Sequence, residues 1–348
     1  YRLVFINGHY QAELSVLPSI PEGAYIGSFG QALLSEQWAP LAIEQLNQFL
    51  DGRIENPFCY LNQAMCTDGA FFFLPKDTRI EEPIQVIFIA SPGSEKLVMH
   101  PRNLVIVEAN SSLNIIESFI APQGGEYWTN VATSFIVGEG AEVNHSKVQE
   151  ESKKAWHIAE LQVELAKTSL FNSGTFMFGG GTSRHEVEAV LAGPDAKCEL
   201  AGLYMPDTDQ RMVNRIFMDH ASEHCESHQL YKGILKGKGV GVFNGKIFVR
   251  EQSQKTDAYQ TNNTLFLSED AEVYVKPQLE IFADDVKCSH GATSGYLDQS
   301  ALFYILSRGI PKEDAERLLT YAFASEVIQK SKVDWLREEL EVYLQSEI

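Results

Sequence analysis

Turn-plus-strand units recur along this chain at a soft period. They begin at Ser111, Ala141, Ser169 and Ala196, which are 30, 28 and 27 residues apart. From Ile84 to Ile281, runs such as IQVIFIA, NLVIVEANSSLNIIESFI, TSFIVGEGAEVNHSKVQ and GVFNGKIFV alternate with Gly, Asn, Asp and Ser. A unit of this size cannot bury its apolar face alone, but stacked on its neighbours it builds a continuous core. The pattern predicts a coiled β solenoid. The repeat is degenerate, so a β-sandwich is the alternative. An unbroken strand region of about 200 residues fits one solenoid more easily than one sandwich.

The flanks read differently. YRLVFINGHY alternates as a strand and turns at Asn7-Gly8. From Pro40, PLAIEQLNQFLDG places Leu41, Ile43, Leu46, Phe49 and Leu50 at near-helical spacing, with Gly52 as the stop. CYLNQAMCTDGAFFFLP reads as a helical turn, an Asp-Gly break and an apolar strand whose Phe71, Phe72 and Phe73 are core. At the other end, Asp298 is placed to N-cap a helix with Leu302, Phe303 and Leu306 on one face and Gly309 as its stop. A second helix follows Pro311, with Glu313 and Asp314 at its positive end. Its stripe of Ala315, Leu318, Leu319, Ala322 and Phe323 predicts that Leu318, Leu319 and Phe323 pack inward. A third helix carries Leu336, Leu340, Tyr343 and Leu344. Helices this short need a surface to dock on. The expected division is an N-terminal mixed segment at 1–83, a β core at 84–297 and a helical domain at 298–348.

Charge narrows the function classes. The 348 residues hold 28 Lys and Arg against 47 Asp and Glu, a net charge of −19. Unspecific nucleic-acid binding and anionic membrane surfaces both need basic patches and are disfavoured. The five cysteines (Cys59, Cys66, Cys198, Cys225, Cys288) are dispersed without CxxC spacing, which predicts reduced thiols in a reducing compartment. No apolar run reaches the ~18 residues of a membrane span. The chain opens on a strand pattern already under way, without a signal-peptide pattern, and an upstream segment is expected.

The densest chemistry lies between Lys276 and Asp298, KPQLEIFADDVKCSHGATSGYLD. Cys288 and His290 are two apart, so on a strand they share a face and offer a soft-metal or sulfur-handling pair. One Cys and one His are at best half of a closed metal site, and a buried cysteine beside a turn histidine reads the residues equally well. Asp284 and Asp285 are adjacent and on a strand would face opposite ways, which disfavours a catalytic carboxylate pair. HASEHCESH brings His220, His224, Cys225 and His228 together, with histidines four apart on one predicted face. Zinc accepts such ligands, but solenoid turn and edge positions in a chain with nine histidines are the favoured reading of these residues. Gly179, Gly180 and Gly181 lack a following GK[ST], so they predict a tight turn and not a phosphate loop.

Several of these stretches carry a resemblance. VFNGKIFV (242–249), KTDAYQTNNTLFLS (255–268), KPQLEIFADDVKCSHGATSG (276–295) and FYILSRGI (303–310) occur in order. Together they resemble the SufB/SufD family of iron–sulfur cluster assembly proteins, strongly over residues 200–328 and weakly before it. The chain is closer to the SufD branch: Ser289 stands where SufB typically has Glu, and no Glu-rich motif after a proline follows Lys332. The resemblance implies a right-handed parallel β-helix with a small helical C-terminal domain, preceded by a truncated mixed N-terminal segment. It implies a non-enzymatic scaffold that pairs with a SufB-like paralogue and docks a SufC-like ABC ATPase, in the cytoplasm or a plastid stroma. Iron or an iron–sulfur cluster would be held transiently at the subunit interface. The family's metal-site histidine maps onto His290 and its neighbouring cysteine onto Cys288. The ATPase-binding region maps onto helices carrying Phe303, Arg308, Arg317 and Tyr321. A β-helix carbohydrate-active enzyme and a self-associating structural solenoid forming homodimers are the alternatives.

Overall fold

The protein is described here as a computed structural model covering residues 1–48, 56–93 and 96–348. Its first strands, β1 (Arg2–Ile6) and β2 (His9–Tyr10), form an antiparallel hairpin turned at Asn7 and Gly8, with φ of 52° and 81°. Then come β3 (Tyr25–Ser28), α1 (Phe29–Leu33), α2 (Ala39–Gln48), α3 (Pro57–Met65) and β4 (Ala70–Leu74). The predicted helix after Pro40 is α2, while Phe49, Leu50 and Gly52 lie outside the described residues. Pro57 opens α3 at a position where its missing N–H costs nothing, and the Asn56 side chain caps the Phe58 amide.

The rungs follow. They are β5 (Arg79–Ile89), β6 (Leu97–Met99), β7 (Arg102–Val107), β8 (Ser112–Ile120), β9 (Tyr127–Val137), β10 (Glu142–Glu150), β11 (Trp156–Leu165) and β12 (Leu170–Met177). Next are β13 (Thr182–Leu191), β14 (Lys197–Tyr204), β15 (Arg211–His220), β16 (Glu226–Leu235), β17 (Val240–Val249), β18 (Asp257–Phe266), β19 (Glu272–Ile281) and β20 (Lys287–Gly295). From β7 onward, successive strands alternate between two sheets. One sheet runs β2-β1-β5-β8-β10-β12-β14-β16-β18-β20 and the other β19-β17-β15-β13-β11-β9-β7-β4-β3. Pairing within the rungs is parallel and in register, so Leu113, Val143, Phe171 and Cys198 stack in one column. This is the predicted β solenoid.

The soft repeat has a backbone cause. Two residues before each main strand of the first sheet, the chain turns through the left-handed region at Asp77, Asn110, Gly140, Thr168, Asp195, His224 and Lys255. Their φ values lie between 54° and 65°. Asn, Asp and Gly tolerate this conformation at small cost. Each of these amides donates to a carbonyl of the next rung, as Asn110 does to Glu139 and His224 to Gln254, both at 2.8 Å. Gly179–Gly181 make the tight turn between β12 and β13, where a Cβ on Gly179 would fall 2.3 Å from the Glu151 backbone.

Apolar side chains of both sheets fill one half of the lumen, with Phe135, Phe171, Val163, Leu191 and Val249 among the buried residues. Helices cover the outer faces. α1 and α2 pack on Phe71, Leu104 and Ile106. After α4 (Gln299–Leu306), the helices α5 (Lys312–Ile328) and α6 (Asp334–Glu347) lie back across the first sheet. Ala324, Val327, Ile328, Leu336, Leu340 and Leu344 pack there against Ile116, Phe176, Leu203 and Ile234. Buried Lys232 pins α5 by donating to the Phe323 carbonyl at 2.9 Å and to Glu326, with its Nζ 4.5 Å from the Phe323 ring centroid.

Two helix-face expectations need correction. Leu318 is 50 % exposed and Phe303 is 72 % exposed, whereas Leu302 is buried. The buried side of α5 runs through Ala315, Thr320, Ala324, Val327 and Ile328, which tilts the stripe away from Leu318. Asp284 and Asp285 are also not on a strand. They occupy the bend between β19 and β20, where Asp285 pairs with Lys255.

Candidate functional site

Both sheets stop at the same end of the solenoid. Neither β19 nor β20 has a strand on its far side among the described residues. One rung earlier, Ala258, Gln260, Asn262 and Thr264 of β18 point into the lumen and are buried. In-register parallel pairing sets Cys288 over Ala258 and His290 over Gln260. Side chains at paired positions share a face, so Cys288 and His290 both face the lumen side, as their spacing predicts. With no further rung described above them, Cys288 is half-buried and His290 is exposed. Tyr274 and Phe282 are exposed at the same end.

Burial, with Asp257 nearby, pushes the Cys288 thiol up, so the free side chain is protonated at neutral pH. Below His290, Gln260 Nε2 donates to Gln229 Oε1 at 2.9 Å. Both amides are buried. Neither glutamine stands out in the sequence. The signal that finds them is their position, one repeat and two repeats before His290.

The histidine cluster around Cys225 does not converge. His220 is fully buried at the end of β15, with Nε2 2.8 Å from Ser227 Oγ, and burial lowers its pKa to about 4. His224 is the left-handed corner residue. Cys225 is buried with its thiol against the Gly193 carbonyl at 3.3 Å, and burial raises its pKa to about 11. His228 points out from β16, 3.5 Å from Asp257 and beside Tyr259. A spacing of four fails here because the segment turns a corner between the two sheets. Among the described residues, no three His, Cys, Asp or Glu side chains converge to hold a metal ion.

The helical hairpin beside the open end carries the residues predicted for partner contact. Phe303 and Tyr304 are exposed on α4, and the Arg308 guanidinium lies 4.8 Å from the Tyr304 ring centroid. On α5, Arg317 is exposed with Glu313 at 3.7 Å, while Tyr321 is partly buried against the α5–α6 core. A pocket of about 280 Å³ between β18, α4 and α5 is bordered by Tyr296, Leu302, Arg317 and Thr320.

A buried ionisable network in the early rungs escaped the sequence reading. Glu117 accepts from Asn103 at 2.6 Å and Thr133 at 2.7 Å, with His145 Nε2 at 3.2 Å. Burial alone would raise its pKa, but the His145 contact, the Lys147 charge and the Thr133 hydroxyl outweigh that and hold it at about 2. Burial lowers Lys147 to about 8 against the pull of Glu117 and Glu151. Glu151 contacts His157 at 2.5 Å and accepts from Thr129 at 2.6 Å. On the outer face of the second sheet, a pocket of about 480 Å³ is lined by Glu160, Glu186, Glu188, Arg184, Arg215 and Lys246. Burial and the neighbouring Glu186 and Glu188 raise Glu160 to about 7.

Known proteins match this sequence along most of its length. The family model described as "SUF system FeS cluster assembly, SufBD core domain" matches residues 88–323, and "SufBD protein N-terminal region" matches residues 1–86. The chain is 31 % identical over 343 residues to the iron-sulfur cluster assembly protein SufD of Escherichia coli, covering 97 % of this chain and 77 % of that protein. It is 34 % identical over 348 residues to an iron-sulfur cluster assembly SufBD family protein of Synechocystis, covering 94 % and 74 %. It is 33 % identical over 337 residues to the chloroplastic protein ABCI7 of Arabidopsis thaliana, covering 94 % and 69 %. A core match across most of the solenoid, a second match over the segment before it, and these relatives lead to one conclusion: the chain belongs to the SufBD family of SUF-system iron–sulfur cluster assembly proteins.

Proposed function

We propose that this chain is a SufD-type scaffold subunit that pairs through its open solenoid end and holds iron or sulfur at the resulting seam. The observation that carries this is the placement of Cys288 and His290 on the lumen side of the last rung, where neither sheet is continued by another strand among the described residues. Exposed edge strands present unpaired amides and carbonyls that another β edge satisfies. The partner is a SufB-like paralogue, with a second copy of this chain as the competing occupant. His290 offers a neutral nitrogen ligand. Cys288 is protonated when free, and a metal bound by the thiolate would displace that proton to solvent. Two ligands make half of a tetrahedral site, so the remaining donors come from across the seam. The α4–α5 hairpin, with exposed Phe303, Arg308 and Arg317 and the edge of Tyr321, is the docking face for a SufC-like ABC ATPase.

The site is tested by comparing His290→Ala with Cys288→Ala in cells that depend on this assembly route. His290→Ala is expected to abolish cluster assembly without unfolding the chain, and Cys288→Ala to weaken it less. Normal assembly in His290→Ala beside failure in Cys288→Ala would reverse the assignment. Docking is tested with Arg317→Glu, which is expected to reduce ATPase capture and leave the fold intact. Capture that persists after both helices are disrupted places the docking face elsewhere.

Enzymatic action on carbohydrate would draw on the flank carboxylates. Glu160, however, is engaged by Asn56 at 2.8 Å and Gln162 at 3.0 Å, and Glu186 by Arg184 and Arg215. Both carboxylates are thus held in contacts within the sheet and to Asn56, and the match to an iron–sulfur cluster assembly family favours the assembly role.

A further inference from the structure

Amide ladders run along this solenoid, and they have a direction. On the outer face of the first sheet, Asn144 Nδ2 donates to Asn114 Oδ1 at 3.0 Å, and Asn172 Nδ2 donates to Asn144 Oδ1 at 2.8 Å. The three asparagines occupy paired positions on β8, β10 and β12. In both of these amide-to-amide bonds the donor belongs to the later rung and the acceptor to the earlier one. Inside the lumen, Gln260 on β18 donates to its register partner Gln229 on β16, so the polarity is the same.

A ladder of this sense leaves the last carbonyl waiting for a donor from the next rung. Gln260 Oε1 is that carbonyl. It is buried and has no hydrogen-bond partner among the described residues. The residue in register with Gln260 on the next rung is His290. Adjacent strands lie about 4.8 Å apart, so a ring nitrogen of His290 reaches the carbonyl by a side-chain rotation without backbone movement. A buried carbonyl without a donor is costly, which supplies the driving force. Gly245 on the facing sheet makes the room: a Cβ there would fall 2.3 Å from Gln260 Nε2 and 2.7 Å from Oε1.

We propose that Gln260 is a positioning residue whose Oε1 accepts an N–H from the His290 ring, fixing one neutral tautomer and leaving the other ring nitrogen free for metal. The inference rests on the reading of His290 as a ligand. Its physical logic is general: a ligating imidazole is oriented by the acceptor that holds its second nitrogen. The amide suits this task because it accepts without adding charge, and its Nε2 donates to Gln229 Oε1 at 2.9 Å, which turns Oε1 away from Gln229; Gln229 Nε2 is itself without a partner among the described residues.

The test is the tautomer of His290 in the metal-free full chain, read from long-range ¹H–¹⁵N correlations of histidine-labelled protein. The His290 signals are identified by their loss in His290→Asn. The wild type is expected to show a single tautomer. Gln260→Ala and Gly245→Ala, which removes or evicts the amide, are expected to show a mixture. Gln260→Glu is expected to restore one tautomer. A mixture in the folded wild type, or a single unchanged tautomer in folded Gln260→Ala, would overturn the proposal. If the variants do not fold, the wild-type crystal structure decides: a ring-nitrogen-to-Oε1 separation of about 2.7–3.2 Å supports it, and a longer separation overturns it. A fixed tautomer together with normal cluster assembly in His290→Ala would leave the positioning intact and remove the ligand role, so the two readings fail separately.

Discussion

Two stretches of the lumen solve the same problem in opposite ways. In the early rungs, Glu117, His145, Lys147, Glu151 and His157 are buried as ionisable groups that face one another. In the late rungs, the corresponding polar positions hold Gln229, Gln260, Asn262 and Thr264, which are neutral, and the column ends at exposed His290. Buried charge is tolerable only when it is paired and further hydrogen-bonded, and the closed rungs provide this from both sheets. At the open end a charged column would lie partly in water, and it would impose its own field on any metal held by His290. Neutral amides orient the ring without that field. The difference teaches that interior polarity here is graded along the axis according to how completely each rung is covered.

The largest expected effect breaks the charged stretch. Glu117→Ala removes the partner of His145 and Lys147 and is expected to cost about 3–5 kcal/mol, because it leaves buried positive charge uncompensated. His290→Ala at the open end is expected to cost about 1–2 kcal/mol, because it leaves the buried Gln260 carbonyl without its donor. Urea denaturation of the two variants checks the contrast, and equal losses would erase it.

A smaller effect separates the stretches by pH. The ordinary pKa of Glu117 is 4.5 and its folded value is about 2, so its contribution is present above about pH 4.5 and is lost as pH falls toward 2. His157, His185 and His220 have pKa values depressed by burial from 6.5, so the unfolded chain binds protons first and stability already falls below about pH 6.5. Glu160, raised from 4.5 to about 7, acts oppositely between those values. The denaturation midpoint is therefore expected to fall on acidification from pH 6.5, and more steeply below 4.5. Glu117→Gln should flatten the steep limb and Gln260→Ala should leave it unchanged. A steep limb surviving in folded Glu117→Gln would assign the acid lability elsewhere.

Much of this molecule is legible one residue at a time. The Asn7-Gly8 turn, the Asp298 cap and the Leu336, Leu340 and Leu344 stripe are local, and all three are present. The left-handed corners explain why a repeat near 30 residues is visible at Ser111, Ala141, Ser169 and Ala196, since each is the residue after one of them. Where the reading failed, the missing information was a corner or a neighbour. His220, His224 and His228 look collinear until the chain turns at His224. Leu318 looks like core until α5 meets the first sheet through its other side.

The order of strand and turn residues by itself determined that this chain coils, how long each rung is, and that Cys288 and His290 share a face, because these follow from local backbone preference and a period of two. Tertiary structure alone decided that Glu117 meets His145, that Gly245 makes room for Gln260, and that His290 stands in register over Gln260. Those contacts join residues about 15 to 30 apart in the chain, and they exist only once consecutive rungs stack in one register and the two sheets face each other.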